Sequence, residues 1–373
     1  MAPDRSPLRV GMTVEQCWQP QPGGSGTYVR ELLTELSGRA DLRLTGLTAR
    51  HGGRTPEGDR LPVPLRRSPV PRRALYQLWQ STRRPRPDRG LDVVHATTWA
   101  IPGRRRPLVV TVHDLAFLQD PEHFTAHGAA FFRRGLEITR REATAVVVPS
   151  HATRAECVEQ GIDPARITVV PHGVRPVHTT PEDVARFRAR HGLTRPYVLW
   201  TGTREPRKNL PVLVQAFEQF ATGTGLDVDL VLVGPEGWGP ETARLRRVPT
   251  DRVRVLGRLP RTELDAAYAG ALLFCYPSLR EGYGLPVTEA MAHGVPVVTS
   301  SGTATEEAAG GAAVLVEPRD PADVARGLAE AADPTRREVL RTGSLARAAD
   351  LDWSRTADQT AAVLSRAAAD GPR

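Results

Sequence analysis

Short runs of apolar, mostly β-branched residues recur along the chain, each followed by a stretch of helical periodicity, and this alternation admits few folds. It argues for parallel sheets covered by helices on both faces. The first series of strand-like runs is Leu8–Val14, Leu42–Leu47, Val93–Ala96, Leu108–Val112, Ala145–Val148 and Ile167–Val170. A Gly/Pro-rich loop and a helix over Thr27–Leu36 follow the first of them, with Tyr28, Val29, Leu32, Leu33 and Leu36 on one face. The second series is Tyr197–Thr201, Val228–Val233, Val253–Leu256, Leu272–Tyr276, Val295–Thr299 and Ala313–Val316. Its helices start near Leu210, Thr262, Pro286 and Pro321, and an amphipathic helix over Ser354–Ala369 ends the chain with no strand after it. A single core rarely grows past about 250–300 residues, so a chain of 373 residues is expected to hold two domains. The expected divisions are an N-terminal Rossmann-like domain over 1–175, a linker region over 176–195 with a charged helix near Pro181–His191, a second Rossmann-like domain over 196–352, and a final helix over 353–373.

Composition narrows the classes further. Cys17, Cys157 and Cys275 stand far apart with no CxxC pair, so neither a disulfide framework nor a thiolate metal site is suggested, and a reducing cytoplasm fits. No apolar run reaches the roughly 18–20 residues of a membrane span, and the opening MAPDRSPLRVGMTV is too short in its apolar part for a signal peptide. The net charge of +8 is uneven: residues 61–110 hold eleven arginines against Asp88 and Asp92, a local balance of +9. Within that window Ala74–Trp79 places apolar and aromatic groups between Arg72-Arg73 and Arg83-Arg84, as a helix on anionic lipid would. A solvated arginine-rich surface is the plainer reading of the same residues. No signature of a nucleic-acid reader accompanies the charge. Of the fifty basic side chains only Lys208 is a lysine.

Four constellations could carry chemistry. Residues 278–298, SLREGYGLPVTEAMAHGVPVV, read as strand end, glycine loop, helix and next strand. Pro286 suits the first helical turn and Gly294 the position past the end, giving a helix near Leu285–His293. Amides of Gly282, Gly284 and Leu285 at such a helix start attract phosphate. Glu281 and Glu289 add two acceptor carboxylates, which suits a ligand with hydroxyls on both sides of its phosphates, a nucleotide sugar; a routine crossover with solvated glutamates is the alternative. The segment GTREPRKNL, 202–210, is again a strand end and loop, with Arg204 and Lys208 reaching over one sheet edge and Asn209 as N-cap of the next helix. Solvated loop cations are the alternative there.

The turn GGSG, 23–26, sits at the first strand-to-helix connection, where α/β folds bind anions. It lacks the third glycine of a dinucleotide fingerprint, and Thr48-Ala49-Arg50 puts no acid after the second strand, so a nicotinamide cofactor is disfavoured. His113-Asp114 closes the run Leu108–Val112, with Glu122 and His123 following; His113 reads equally as a structural or a functional histidine. No histidine spacing suggests a metal, and neither a nucleophile elbow nor a Walker loop is present.

Together Glu281…Glu289, the loop 202–209, Pro171-His172-Gly173 and His113 resemble the GT-B glycosyltransferases of family 4, the group 1 transferases, from Gly23 to about Val316. The resemblance implies two Rossmann-like doubly wound domains facing a cleft, with the final helix returning to the first domain. It implies a nucleotide diphosphate-sugar donor in the C-terminal domain, an acceptor in the N-terminal domain, and transfer with retention, without metal or cofactor. Arg204 and Lys208 would neutralise the diphosphate. Glu281 would hold sugar hydroxyls near the reacting carbon and Glu289 the ribose hydroxyls, with Gly282, Gly284 and Leu285 at the donor. Gly23 and Gly24 would bring amides to the phosphates, and His113 would line the donor sugar and help catalysis. The motif forms are most similar to mannosyltransferases and rhamnosyltransferases, so GDP-mannose is the favoured donor, with UDP- and dTDP-sugars open. Residues 50–106 match nothing in the family, leaving the acceptor as a glycan, lipid or small molecule. A cytoplasmic enzyme, peripheral at the inner membrane face, would fit both the resemblance and the arginines.

Two other classes remain in view. A sugar-nucleotide epimerase of the same fold would carry similar phosphate clamps, but typically uses several acids for proton removal, where only Glu281 and Glu289 stand with one histidine. A non-catalytic nucleotide-sugar-binding protein would not need His113, Glu281, Arg204 and Lys208 all intact.

Overall fold

The structure is a computed structural model describing residues 6–372 apart from 52–54, 56–57, 59, 120, 122–123, 176 and 238–250. Glu122 and His123 therefore lie outside the described residues. The chain divides into two compact units: the part up to Gly173 together with the segment from Trp353 onward, and Val174–Asp352.

The first unit is a seven-stranded sheet of β1 (Leu8–Thr13), β2 (Leu42–Thr48), β3 (Leu65–Arg67), β4 (Val93–Ala96), β5 (Leu108–Thr111), β6 (Ala145–Val148) and β7 (Ile167–Val169), in the order β3-β2-β1-β4-β5-β6-β7. The second is a six-stranded sheet of β8 (Tyr197–Thr201), β9 (Asp229–Val233), β10 (Val253–Gly257), β11 (Leu273–Tyr276), β12 (Val297–Ser300) and β13 (Ala313–Val316), in the order β10-β9-β8-β11-β12-β13. Every pairing in both is parallel. Helices cover both faces of such a sheet, so its central strands need apolar groups on each side. Accordingly β4, β5, β8, β9, β11 and β12 are buried at every position. Each large aliphatic or aromatic side chain so buried contributes roughly 1.5–3 kcal/mol.

Some elements differ from the sequence expectation for identifiable reasons. The helix expected from Thr27 begins at Gly23 and runs to Ser37, because Gly23 takes φ +58° and lets the first turn form directly after Pro22. Strand β3 carries no apolar alternation: Leu65 is half-buried, Arg66 and Arg67 are exposed, and it pairs with β2 alone at the sheet edge. Helix Pro181–His191 belongs to the second unit, closed by a capping box between Thr180 and Asp183 and by left-handed Gly192. The final helix, Trp353–Asp370, belongs to the first unit, where it lies against β4, β5, β6 and helix Gly23–Ser37.

The arginine-rich window is built into the first unit. Helix Arg72–Ser81 buries Leu75 and Trp79 and stacks Tyr76 on Phe131, so its apolar face is used internally. Arg83 donates to the carbonyls of Trp79, Ile101 and Pro102 and pairs with Glu142 at 2.9 Å. Among the described residues no helix is long and apolar enough to cross a membrane.

At the carboxyl edge of the second sheet two glycines meet. Gly202 directly follows β8 with φ +146° and Gly234 directly follows β9 with φ +139°; a Cβ on Gly234 would lie 1.9 Å from the Gly202 carbonyl oxygen. Gly234→Ala should therefore lower the urea unfolding free energy of the protein by about 3 kcal/mol or more, from the clash and the disfavoured φ together. Gly223→Ala, in helix Leu210–Thr224 with open space at its Cβ, should be neutral or stabilising by up to about 1 kcal/mol. Equal effects would show that the loops do not approach as described.

Candidate active site

Ligand crevices in open parallel sheets form beyond the carboxyl ends of strands where the strand order reverses. In the second unit that point lies between β8 and β11, so the loops leaving those strands, residues 202–209 and 277–284, border one crevice. In the first unit it lies between β1 and β4. Glu281, Arg204, Lys208, Gly282, Gly284, Leu285 and Glu289 all fall at or beside the second unit's crevice; Gly23, Gly24 and His113 lie at the carboxyl edge of the first.

A turn of 3-10 helix, Pro206–Lys208, follows Glu205 and turns Lys208 inward, where it is 7% exposed. Asn209 then adopts the left-handed conformation, φ +60°, at the N-cap of the helix from Leu210, but its side chain makes no capping hydrogen bond. Its amide instead donates to the carbonyls of Pro277 (3.0 Å) and Pro318, tying the loop after β8 to the loop after β11. Lys208 Nζ pairs with Glu281 Oε1, donates to the Tyr276 hydroxyl and stands 5.1 Å from the Tyr276 ring centre. Glu281 Oε1 also accepts from Tyr276 Oη at 2.9 Å and Ser278 Oγ at 2.8 Å, while Oε2 accepts from Arg207 Nη1 at 2.9 Å. Arg207 in turn pairs with Glu205 at 2.9 Å.

Burial alone would raise the Glu281 carboxyl, but Arg207 and Lys208 outweigh it and hold it down at about 2. Burial, aided by Arg207, lowers Lys208, with Glu281 and Glu205 opposing. Glu281 is thus a buried carboxylate with four protein donors, keeping one acceptor position on Oε2. Arg207 is the member sequence reasoning passed over; its adjacency to Lys208 in a single 3-10 turn was the available signal. Arg204 is placed differently: its buried Nε meets no hydrogen-bond partner among the described residues.

Beyond the loop, helix Leu285–Ala292 starts after Gly284, which takes φ +105° and lies so close to Thr305 that a Cβ there would come within 2.9 Å of the Thr305 Cγ2. Glu289 Oε1 accepts from Arg261 Nη1 at 2.6 Å and Oε2 from Tyr268 Oη at 3.1 Å. Among the described residues each oxygen keeps one acceptor position, so Glu289 is far less filled than Glu281.

In the first unit Gly23 and Gly24 are exposed at the start of their helix, which has no side-chain cap. Five residues into that helix, Tyr28 is buried with its hydroxyl 3.0 Å from Thr111 Oγ1, which is 2.8 Å from His95 Nε2. The Tyr28 ring meets His113 edge-on at 4.9 Å and tilts on His172 at 4.8 Å; His172 stacks on Trp353. His113 Nε2 lies 2.9 Å from the Thr97 carbonyl oxygen. A carbonyl only accepts, so Nε2 carries the proton and Nδ1 is left as an acceptor in the neutral ring. Burial lowers all three histidines: His95 to about 3, His172 well below the usual value, and His113 below it despite the Thr97 carbonyl and Asp114.

These depressed values fix a pH dependence. Between the folded values and 6.5, the ordinary histidine value, the unfolded chain binds more protons than the folded one, so stability falls as pH drops through that window. The expected slope is about 1.4 kcal/mol per pH unit for each buried histidine. Urea unfolding of the first unit at pH 7.5 and 5.5 checks this; equal stabilities would mean the rings are not held neutral.

Comparison with known proteins now bears on these sites. Residues 195–333 match the family described as Glycosyl transferases group 1, and residues 22–178 match Glycosyltransferase Family 4. The chain is 30% identical over 276 residues to O-antigen chain mannosyltransferase B of Escherichia coli, covering 72% of each chain. It is 32% identical over 312 residues to D-inositol 3-phosphate glycosyltransferase 1 of Catenulispora acidiphila, covering 76% of this chain and 73% of that one. Among solved structures, Anabaena HepE in complex with UDP-glucose superposes with a TM-score of 0.75 at 20% identity, over 96% of this chain and all of that one. With two parallel α/β units and matches in both of them, the chain belongs to the GT-B glycosyltransferases of family 4, group 1.

Proposed function

We propose that the enzyme is a retaining hexosyltransferase that takes its sugar from a nucleotide diphosphate-sugar, with mannose from GDP-mannose favoured and UDP- or dTDP-sugars as alternatives. The observation that carries the donor site is Arg204: a guanidinium whose buried Nε has no partner among the described residues, at the switch point of the second sheet. Its loop also holds Arg207, Lys208 and Glu205, whose ion cluster is completed by Glu281 from the loop after β11. The diphosphate's growing charge on bond cleavage meets Arg204 and Lys208 without a metal or other cofactor, and the helix start at Gly282, Gly284 and Leu285 adds backbone amides. Glu289, with two acceptor positions left, takes the ribose hydroxyls; Glu281 uses its remaining position on Oε2 for a sugar hydroxyl. In the first unit Gly23 and Gly24 offer exposed amides to phosphate, and His113, neutral with Nδ1 as acceptor, is the catalytic group of that unit. The similarity to a mannosyltransferase supports mannose, and the UDP-glucose complex of a structural neighbour keeps UDP-sugars in view. The acceptor, a glycan, lipid or small molecule, is unassigned.

Calorimetry and acceptor-free hydrolysis with GDP-mannose, UDP-glucose and dTDP-rhamnose test this reading. One sugar nucleotide should bind selectively, and Arg204→Ala should cut turnover by about 10²–10³-fold with stability unchanged. Lys208→Ala is the poorer probe, because stripping one partner from a buried ion pair costs about 3–5 kcal/mol of stability as well. Binding of none of the three donors would remove the transferase reading of the site.

We further propose that the exposed Arg66, Arg84, Arg86, Arg89, Arg105 and Arg106 meet the anionic inner face of the cytoplasmic membrane. Arg66 donates to the Pro87 and Arg89 carbonyls, and Asp88 accepts from the amides of Arg105 and Arg106, so the three segments are tied together. Sedimentation with anionic liposomes should be salt-sensitive and weakened in Arg84→Glu/Arg86→Glu; binding indifferent to salt and to these changes would leave a merely solvated surface.

A further inference from the structure

Helix Arg261–Ala269 presents Arg261, Asp265 and Tyr268 at positions i, i+4 and i+7, which lie on one face. All three converge on Glu289 or its partner. Arg261 Nη1 donates to Glu289 Oε1 at 2.6 Å, and Nη2 lies 2.9 Å from an Asp265 carboxylate oxygen as an ion pair, so a carboxylate faces each prong of the guanidinium. Tyr268 Oη lies 3.1 Å from Glu289 Oε2 and 2.7 Å from Thr201 Oγ1. The phenol has one proton and the carboxylate only accepts, so Tyr268 donates to Glu289 and Thr201 donates to Tyr268. Thr201 is the last residue of β8, directly before the Gly202 loop. The carboxylate is therefore gripped once on each oxygen, by groups that are themselves held.

We propose that Arg261 is a positioning residue for recognition of a vicinal diol: it fixes the Glu289 carboxylate so that the free acceptor position on each oxygen meets one ribose hydroxyl of the donor nucleotide. The inference rests on the reading of Glu289 as the ribose contact and adds the residue that sets its orientation. A glutamate side chain is free to rotate about three bonds, and a two-point acceptor works only if both oxygens are held in the plane of the diol. Tyr268 alone holds one oxygen. Arg261, half-exposed and paired with Asp265, supplies the second point through a fork split between Glu289 and Asp265, which a lysine does not reproduce.

The test is calorimetry of GDP and UDP, each beside its 2′-deoxy counterpart, on the full-length wild type, Glu289→Gln, Arg261→Met and Arg261→Lys, with thermal melts of each variant. The better-bound wild-type nucleotide should exceed its 2′-deoxy form by about tenfold, the worth of one hydrogen bond to a charged group. Glu289→Gln should erase that ratio. Arg261→Met should reduce it to under about threefold, weakening the 2′-deoxy nucleotide less than its parent because only the 3′-hydroxyl contact is left to lose, and Arg261→Lys should recover it only in part. A wild-type ratio retained in Arg261→Met overturns the proposal, as does an equal weakening of both nucleotides, which would mark a general structural role. If wild type and Glu289→Gln alike fail to discriminate, the reading of Glu289 falls and the proposal with it, a result distinct from failure of Arg261 alone.

Discussion

A carboxylate buried between two loops organises the second unit's crevice. Glu281 arrives from the segment after β11, and its partners Lys208 and Arg207 from the turn after β8. Taking such a charge out of water costs several kcal/mol unless its lone pairs are satisfied, and here four donors occupy all but one position on Oε2. The ion cluster therefore constrains where both loops go. Asn209 reinforces the same junction with neutral hydrogen bonds to Pro277 and Pro318. With the two loops joined, the backbone around Gly284 and the helix behind it are carried into a fixed place relative to Arg204.

The first unit solves the corresponding problem without ions. At its switch point Thr13 and Thr97 bond to one another, and Thr111 links His95 to Tyr28. Burial keeps the histidines neutral, so this edge offers oriented dipoles and ring faces rather than fixed charge. A neutral His113 whose Nε2 is committed to a backbone carbonyl can accept a proton or hydroxyl hydrogen at Nδ1 only, which gives the ring a single chemical sense.

The architecture was legible because parallel sheets buried on both faces need unbroken apolar runs, and β4, β6, β8 and β13 begin and end where the sequence runs do. Strand β3 was not, since an edge strand of Leu-Arg-Arg carries no such signal. Glycine and proline marked the helix at Leu285 well, because both act through local backbone sterics. Local rules failed at Asn209, where a distant pair of carbonyls outcompeted the helix end for the side chain. They failed similarly over residues 61–110: Arg83 and Arg104 read as surface charge in sequence, yet they serve buried carbonyls and Glu142, partners that only tertiary structure supplies. Residue types and spacing singled out Glu281, Glu289, Arg204 and Lys208 as candidates. They did not reveal that Glu281 is occupied by Arg207 and Lys208 or that Glu289 is braced by Arg261, because occupancy depends on contacts across 28 to 74 residues of chain.

The single lysine is explained by the space it occupies. Lys208 is almost wholly enclosed, with its ammonium against one carboxylate oxygen and one phenol and over the Tyr276 ring. A compact ammonium has three donors, and these partners use two of them. A guanidinium in the same place would bring five donors in a rigid plane, leaving several buried without acceptors, each at a cost of about 1–3 kcal/mol. At Arg207, by contrast, the fork spans Glu205, Glu281 and the Arg280 carbonyl, so a planar, multidentate cation is what that position requires. Adjacent residues in one turn thus demand different cations, and a chain that uses arginine everywhere else keeps its one lysine where a guanidinium would leave buried donors unsatisfied.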